Sequence, residues 1–157
     1  MTKNTPQIKI KIQNENFDVL EETKKLQQNN TGAIVSFVGL VRGYNEKTNQ
    51  MINSMTLEHY PEMTESEINK IIVTCFKRWE ITGVTVIHRV GNLRPSDQIV
   101  FVGVSSKHRQ NAFDGCNFIM DWLKTKAPFW KVEENNGKKN WVSFNDTDNQ
   151  ALKKWER

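Results

Sequence analysis

The chain has 157 residues, with 22 Lys and Arg against 18 Asp and Glu, a formal charge of +4 and a pI near 9.1. That length fits one compact domain over residues 1–157, and a 37% hydrophobic, 10% aromatic composition supplies a core, which excludes a disordered or fibrous chain. No run approaches the roughly eighteen apolar residues of a membrane helix, and Met1 to Lys11 is polar and alternating, unlike a signal peptide, so the expectation is a soluble, cytoplasmic protein.

Ile8, Ile10 and Ile12 alternate with polar residues and predict a half-buried strand. Phe17 to Gln28 predicts a helix that Asn29, Asn30, Thr31 and Gly32 end. Ala33 to Val41 is an apolar, β-branched run and predicts a strand buried on both faces. Gly39 and Gly43 bracket its end and leave Arg42 at the mouth of a polar loop, Gly43 to Gln50. Met51 to Tyr60 predicts a strand with Met55, Leu57 and His59 on one face. Pro61 begins a helix, with Thr64 and Glu67 spaced as a capping box and an apolar stripe of Ile68, Ile71, Ile72, Cys75, Phe76 and Trp79. Strands Gly83 to Val90 and Gln98 to Ser105 follow, joined by a turn at Arg94–Asp97. Ser105 and Ser106 offer N-caps to the longest helix, where Ala112, Phe113, Cys116, Ile119, Met120 and Leu123 recur at helical spacing and Pro128 is the stop. Phe129 to Glu133 and Asn140 to Phe144 predict a hairpin around Asn136-Gly137, and Asp146 to Trp155 a short helix. The pattern is α+β, with a mixed or mostly antiparallel sheet.

Chemistry-bearing residues gather at element ends. Arg42 follows a strand, His108 and Arg109 open the long helix, and Lys124, Lys126 and Lys131 surround its end. Lysines at a helix C-terminus also read as surface groups that complement the dipole. His108 and Arg109 oppose the dipole at the N-terminus, which suits a bound phosphate or carboxylate and also suits plain solvated positions. From Lys107 to Lys131 five basic residues face two acids, Asp114 and Asp121, so most of the net charge lies in one stretch. Interleaved Trp122, Phe129 and Trp130 leave an RNA- or anion-binding module as the alternative, although no nucleic-acid motif accompanies them. His59 and His88 read as structural. Cys75 and Cys116 lie 41 residues apart, outside any CxxC pattern, and read as buried thiols; no metal site is expected. A lysine among other cations has its neutral amine favoured, which suits acid–base or nucleophilic work near neutral pH.

SFVGLVR (36–42), LEHYPEMTE (57–65), VTVIHRVGNLRPSDQIVFVGVSSKHRQNAF (84–113) and FIMDWLKTKAPFWKVE (118–133) closely resemble the large, catalytic subunit of molybdopterin synthase. The resemblance runs from about Gly32 to Val142. It implies an α/β hammerhead-type fold with an additional small antiparallel β-sheet. It also implies a sulfurtransferase that converts cyclic pyranopterin monophosphate (precursor Z) into molybdopterin, in molybdenum cofactor biosynthesis. The sulfur would come from the Gly-Gly thiocarboxylate of a small ubiquitin-like subunit, within a heterotetramer around a dimer of large subunits. Carried over by position, Lys124 and Lys131 are the catalytic lysines, Lys124 as acid/base or transient covalent group and Lys131 in substrate binding and charge stabilisation. Arg42, His108 and Arg109 would hold the phosphate and pterin end, with Val132, Glu133 and Met120 as further substrate contacts. The family pocket includes residues of the neighbouring large subunit and needs no cofactor, nucleic acid or membrane. Asn140 stands where some relatives carry Arg before the Trp-Val pair.

Overall fold

The computed structural model describes residues 6–142 and 146–156. In chain order the elements are β1 (Gln7–Gln13), α1 (Val19–Lys25), β2 (Ala33–Leu40), β3 (Tyr44–Asn45), β4 (Gln50–Met51), β5 (Ser54–His59) and α2 (Met63–Arg78). Then come β6 (Gly83–Arg89), β7 (Gly91–Leu93), β8 (Gln98–Ser106), α3 (Arg109–Thr125), β9 (Phe129–Asn135), β10 (Lys138–Trp141) and α4 (Asp146–Lys153). One four-stranded sheet has the order β1-β6-β8-β2, with β1 parallel to β6 and the other pairs antiparallel. A second, wholly antiparallel sheet has the order β10-β9-β5-β7, and β3 pairs with β4 as a separate ribbon.

Alternation along the first sheet sorts its two faces. Val84 and Val86 of β6, with Val100, Val102 and Val104 of β8, pack with Ile68, Ile71, Ile72 and Cys75 of α2 and with Cys116, Phe118, Ile119 and Leu123 of α3. The intervening Ile87 and Phe101 meet Phe17 and Val19 on the opposite face. The predicted stripes of α2 and α3 therefore bury for the most part, with Phe113 of α3 the exception at 57% exposed. The chain leaves the first sheet at Val90, whose N–H donates to Gln13 O at 2.9 Å, and enters the second at Gly91, with φ +95°. Only a residue without Cβ takes that turn cheaply. Asn136 (φ +48°) and Gly137 (φ +81°) close the β9–β10 hairpin in the left-handed conformations that an Asn-Gly pair favours. Phe144, the predicted end of that hairpin, lies outside the described residues.

Three expectations change. β2 is not buried on both faces: among the described residues it is an edge strand, paired only with β8, with Phe37 39% and Leu40 53% exposed. Thr64 and Glu67 form no capping box. The N-cap of α2 is Glu62, with φ +67° and no side-chain bond, and the fully buried Thr64 hydroxyl donates instead to Pro128 O at 3.1 Å. Tertiary contact outcompetes the cap and ties the start of α2 to the start of β9. Ser105 and Ser106 end β8, so His108 is the N-cap of α3, and Ser106 Oγ accepts from the His108 N–H at 3.2 Å.

Candidate active site

α3 runs back along the first sheet and brings Lys124, in its last turn, to the place where the two sheets meet. β9 then leads away through Lys131, whose register partner Leu57 is 1% exposed. Strand alternation turns Phe129, Lys131 and Glu133 to one face of β9 and Trp130 and Val132 to the other. Arg42 arrives from β2 on an anchored turn: the Val41 N–H donates to Asp97 O at 2.9 Å, the Ser96 N–H donates to Val41 O at 2.8 Å, and Val41 is buried. Glu133 is fixed by Asn45, whose Nδ2 donates to Glu133 Oε2 at 2.7 Å.

The electrostatics of this junction are unusual for a surface. Burial, then the charge of Lys124, pull the Lys131 amine down from 10.5 to about 8, with Arg42 adding to the effect and Asp148 and Glu133 opposing it. At pH 7.5 roughly a quarter of Lys131 is then neutral, so both of its protonation states are available for chemistry. Beneath it, His88 is buried and stacked on Phe129 at 3.8 Å and 15°. Its Nδ1 lies 2.8 Å from Arg89 O, which makes Nδ1 the protonated nitrogen. Burial pushes its pKa down to about 3 against the Arg89 bond, which is second to burial in size, and Lys131, Lys124 and His59 add smaller downward pushes. His88 is thus a neutral floor to a cationic site, consistent with its structural reading.

Arg42, Lys124 and Glu133 lie close enough to Lys131 to act on its amine, whereas Met120, one turn before Lys124 and half-buried, packs against the main core. His108 and Arg109 do not join: both are exposed at the far end of α3, and the fifteen residues from Arg109 to Lys124 span about 22 Å of helix. Val132 faces away from Lys131, paired with Thr56 and Trp141, so within one chain its side chain does not line the site. Asn140 lines a groove of about 130 Å³ between the β3–β4 ribbon and the β9–β10 hairpin, together with Asn45, Gln50, Asn135 and Glu133. Sequence reasoning missed Asn45 and Asp148; for Asp148 the available signal was its i, i+4 spacing with Leu152.

Other candidates resolve into structure. Burial pushes both thiols up to about 12, and Cys75 Sγ and Cys116 Sγ lie 3.8 and 3.7 Å from Gly115 O and Val102 O, as inert core groups do. The aromatic residues near the lysines are engaged: Trp122 packs against Phe118, Phe129 against His88 and Trp130 against Tyr60. Among the described residues no group of three or more His, Cys, Asp or Glu is placed to hold a metal ion, and no helix is long and apolar enough to cross a membrane.

An α+β frame that brings two lysines and an arginine to one sheet junction concentrates positive charge there. The model of the MoaE protein family matches residues 12–126, and the chain belongs to that family. It is 47% identical over 148 residues to the molybdopterin synthase catalytic subunit of Escherichia coli (strain K12), covering 94% of this chain and 97% of that one. The solved molybdopterin biosynthesis MoaE protein from Burkholderia ambifaria superposes with a TM-score of 0.81 at 42% identity, over 96% of this chain and 99% of that one. A molybdopterin synthase structure from Staphylococcus aureus gives 0.76 at 25% identity, over 91% and 99%.

Proposed function

We propose that this chain, acting as one domain in the cytoplasm, is the catalytic subunit of molybdopterin synthase. It moves sulfur from the C-terminal thiocarboxylate of a small ubiquitin-like partner onto cyclic pyranopterin monophosphate, building the dithiolene of molybdopterin. The observation that carries this reading is the convergence of Lys124, Lys131 and Arg42 on one sheet junction in a chain with near-full-length similarity to such subunits. Substrate phosphate and partner thiocarboxylate are both anions. Bringing them together requires concentrated positive charge, and Lys124 and Arg42 supply it where the protein surface lowers the dielectric. Lys131, with its amine near 8, donates or accepts a proton as charge develops at the reacting carbon. Glu133, held by Asn45, keeps the cluster from repelling itself apart. The sulfur donor sits on another chain, in keeping with two cysteines buried beyond reach.

The site is completed by a second copy. His108 and Arg109 are too far from Lys124 to serve their own chain's lysines, and they are exposed, as groups offered to a neighbour would be. The outer edge of β2 carries exposed Phe37 and Leu40, and α3 adds Phe113 at 57% exposure, an apolar margin suited to a second large subunit. One small subunit at each end makes the assembly a heterotetramer.

The test is molybdopterin formation from the purified chain, thiocarboxylated partner and precursor. Lys124→Ala is expected to lose at least about a hundredfold in turnover while still binding the partner. Full activity in that variant would remove Lys124 from the mechanism.

A further inference from the structure

Glu58-His59-Tyr60-Pro61 closes β5 and leads into α2, and side-chain contacts on both faces of the second sheet fix its alternation. On the outer face Trp130 Nε1 donates to Glu58 Oε2 at 3.0 Å, and the Tyr60 and Trp130 rings pack at 4.6 Å. His59 therefore turns inward, where its register partner is Phe129, with 6.3 Å between ring centroids. Phe129 in turn stacks on His88 at 3.8 Å. Leu57, two residues before His59, is the register partner of Lys131. His59 and Lys131 are thus diagonal neighbours on one face of an antiparallel pair, a backbone separation of roughly 7–8 Å that long side chains span.

The corner after His59 is held firmly. Glu62 has φ +67°, and the Met63 N–H donates to Pro61 O at 2.8 Å, a tight three-residue turn. The Thr64 N–H donates to Tyr60 O at 3.0 Å, and the buried Thr64 hydroxyl donates to Pro128 O at 3.1 Å. The end of β5 and the start of β9 are thereby fastened together where His59 and Phe129 sit. From sequence His59 reads as structural, as His88 does, but different things hold the two rings. His88 is buried, with Nδ1 2.8 Å from Arg89 O. His59 is half-buried, and among the described residues its ring nitrogens make no hydrogen bond. Lys131 is also half-buried, and among the described residues its Nζ makes no hydrogen bond or ion pair. Glu133, the next inward residue of β9, is engaged by Asn45 at 2.7 Å. Two partly buried polar groups on one face, both with unspent hydrogen-bonding atoms, can close on one guest.

We propose that His59 is a further ligand-contacting residue of the lysine site: its imidazole donates a hydrogen bond to an anionic oxygen that Lys131 holds. This rests on the reading of Lys131 as a working group of the site. An imidazole suits the place, because it donates from a ring nitrogen without requiring a fourth charge beside Lys124, Lys131 and Arg42. Contact from two strands fixes the direction of the oxygen as well as its charge, which a single flexible lysine cannot do. A phosphate and a terminal carboxylate or thiocarboxylate both present such an oxygen.

The test follows the ring signals of the 3 histidines of the full chain by proton–carbon NMR at fixed pH, with the His59 signal identified by its loss in His59→Phe. Two probes are titrated separately: inorganic phosphate, and a short peptide ending in a Gly-Gly carboxylate. The His59 signal is expected to move to saturation with at least one of them while that of buried His88 stays, and Lys131→Ala should abolish the movement. Phosphate as the active probe would assign His59 to the substrate end, and the peptide would assign it to the tail. In molybdopterin formation His59→Phe, which keeps a ring against Phe129, should raise KM for that same reactant roughly tenfold. His59→Gln, which restores an N–H, should recover most of the loss. A His59 signal that neither probe moves, or an unchanged KM in His59→Phe, overturns the proposal. A loss that Gln does not recover, with thermal midpoints lowered in both variants, would assign His59 to packing and overturn it too. The titration needs no turnover, so a saturating His59 shift in a chain that forms no molybdopterin with any partner would count against the sulfur-transfer reading and leave this contact standing.

Discussion

Replacing Lys131 with Met should remove activity and make the fold more stable at neutral pH. Burial, with Lys124 next, holds the Lys131 amine at about 8 where a free lysine sits at 10.5. That gap is about 3 kcal/mol against the folded ammonium, and water and local relaxation reduce it, so about 1–3 kcal/mol is expected. The unfolded chain keeps the proton up to about 10.5, while the folded chain releases it near 8. Between those values the unfolded state binds more protons, so stability rises with pH through that window; the penalty is complete below 8 and gone above 10.5. Met fills a similar volume without charge. Urea unfolding followed by tryptophan fluorescence reads the difference, with five Trp as reporters. The Lys131→Met variant should be more stable than the parent by about 1–3 kcal/mol at pH 7 and no more stable near pH 10.5. Other titrating groups are common to both proteins and cancel. An advantage of equal size at both pH values would assign the gain to packing and refute the charge argument.

His88 should show the opposite limb. Its folded value of about 3 lies below the ordinary 6.5, so it contributes stability that is present above 6.5 and lost as pH falls toward 3. His88→Phe keeps a ring on Phe129 but orphans Arg89 O, so it should be less stable than the parent by about 1 kcal/mol at pH 7 and overtake it in acid; denaturation curves that stay parallel from pH 7 to 4 would exclude a neutral His88. If His108 and Arg109 serve the neighbouring copy, Arg109→Ala and Lys124→Ala, each inactive alone, should recover activity when unfolded together and refolded, because a mixed dimer then carries one intact site. No recovery, with mixed dimers demonstrated by mass, would place Arg109 outside the site.

What the sequence disclosed and what it hid divide along a physical line. The stripes of α2 and α3 and the Asn-Gly hairpin were legible, because periodicity and turn chemistry are local properties of the chain. The apolar run of β2 was legible as a strand and illegible as an edge: its composition is that of a central strand, and only the missing neighbour distinguishes the two. Thr64 had the right spacing for a cap and was taken by Pro128, sixty-four residues away. The site divides in the same way. Arg42, Lys124 and Lys131 were marked by resemblance and by their places at element ends, whereas the depressed amine of Lys131 follows first from its burial and only then from the neighbouring charges, which no local pattern announces.

The separation of the basic residues along α3 carries the functional argument one step further. Five cations within Lys107–Lys131 look like one patch in sequence, yet the long helix holds Arg109 and Lys124 about 22 Å apart. A nucleic-acid surface would use such a helix as a continuous stripe, and the polar and apolar residues between its ends offer none: the middle turns are given to the core through Cys116, Phe118 and Ile119. Two cationic ends with a buried middle make sense when each end belongs to a different site. In one chain that leaves His108 and Arg109 away from the lysines; in the proposed pair of chains each long helix would supply the lysine end of one pocket and the His-Arg end of the other. The unpaired edge of β2, with Phe37 and Leu40 on it, is where such a pairing would begin, and the anion site would then require association, which ties activity to the oligomer.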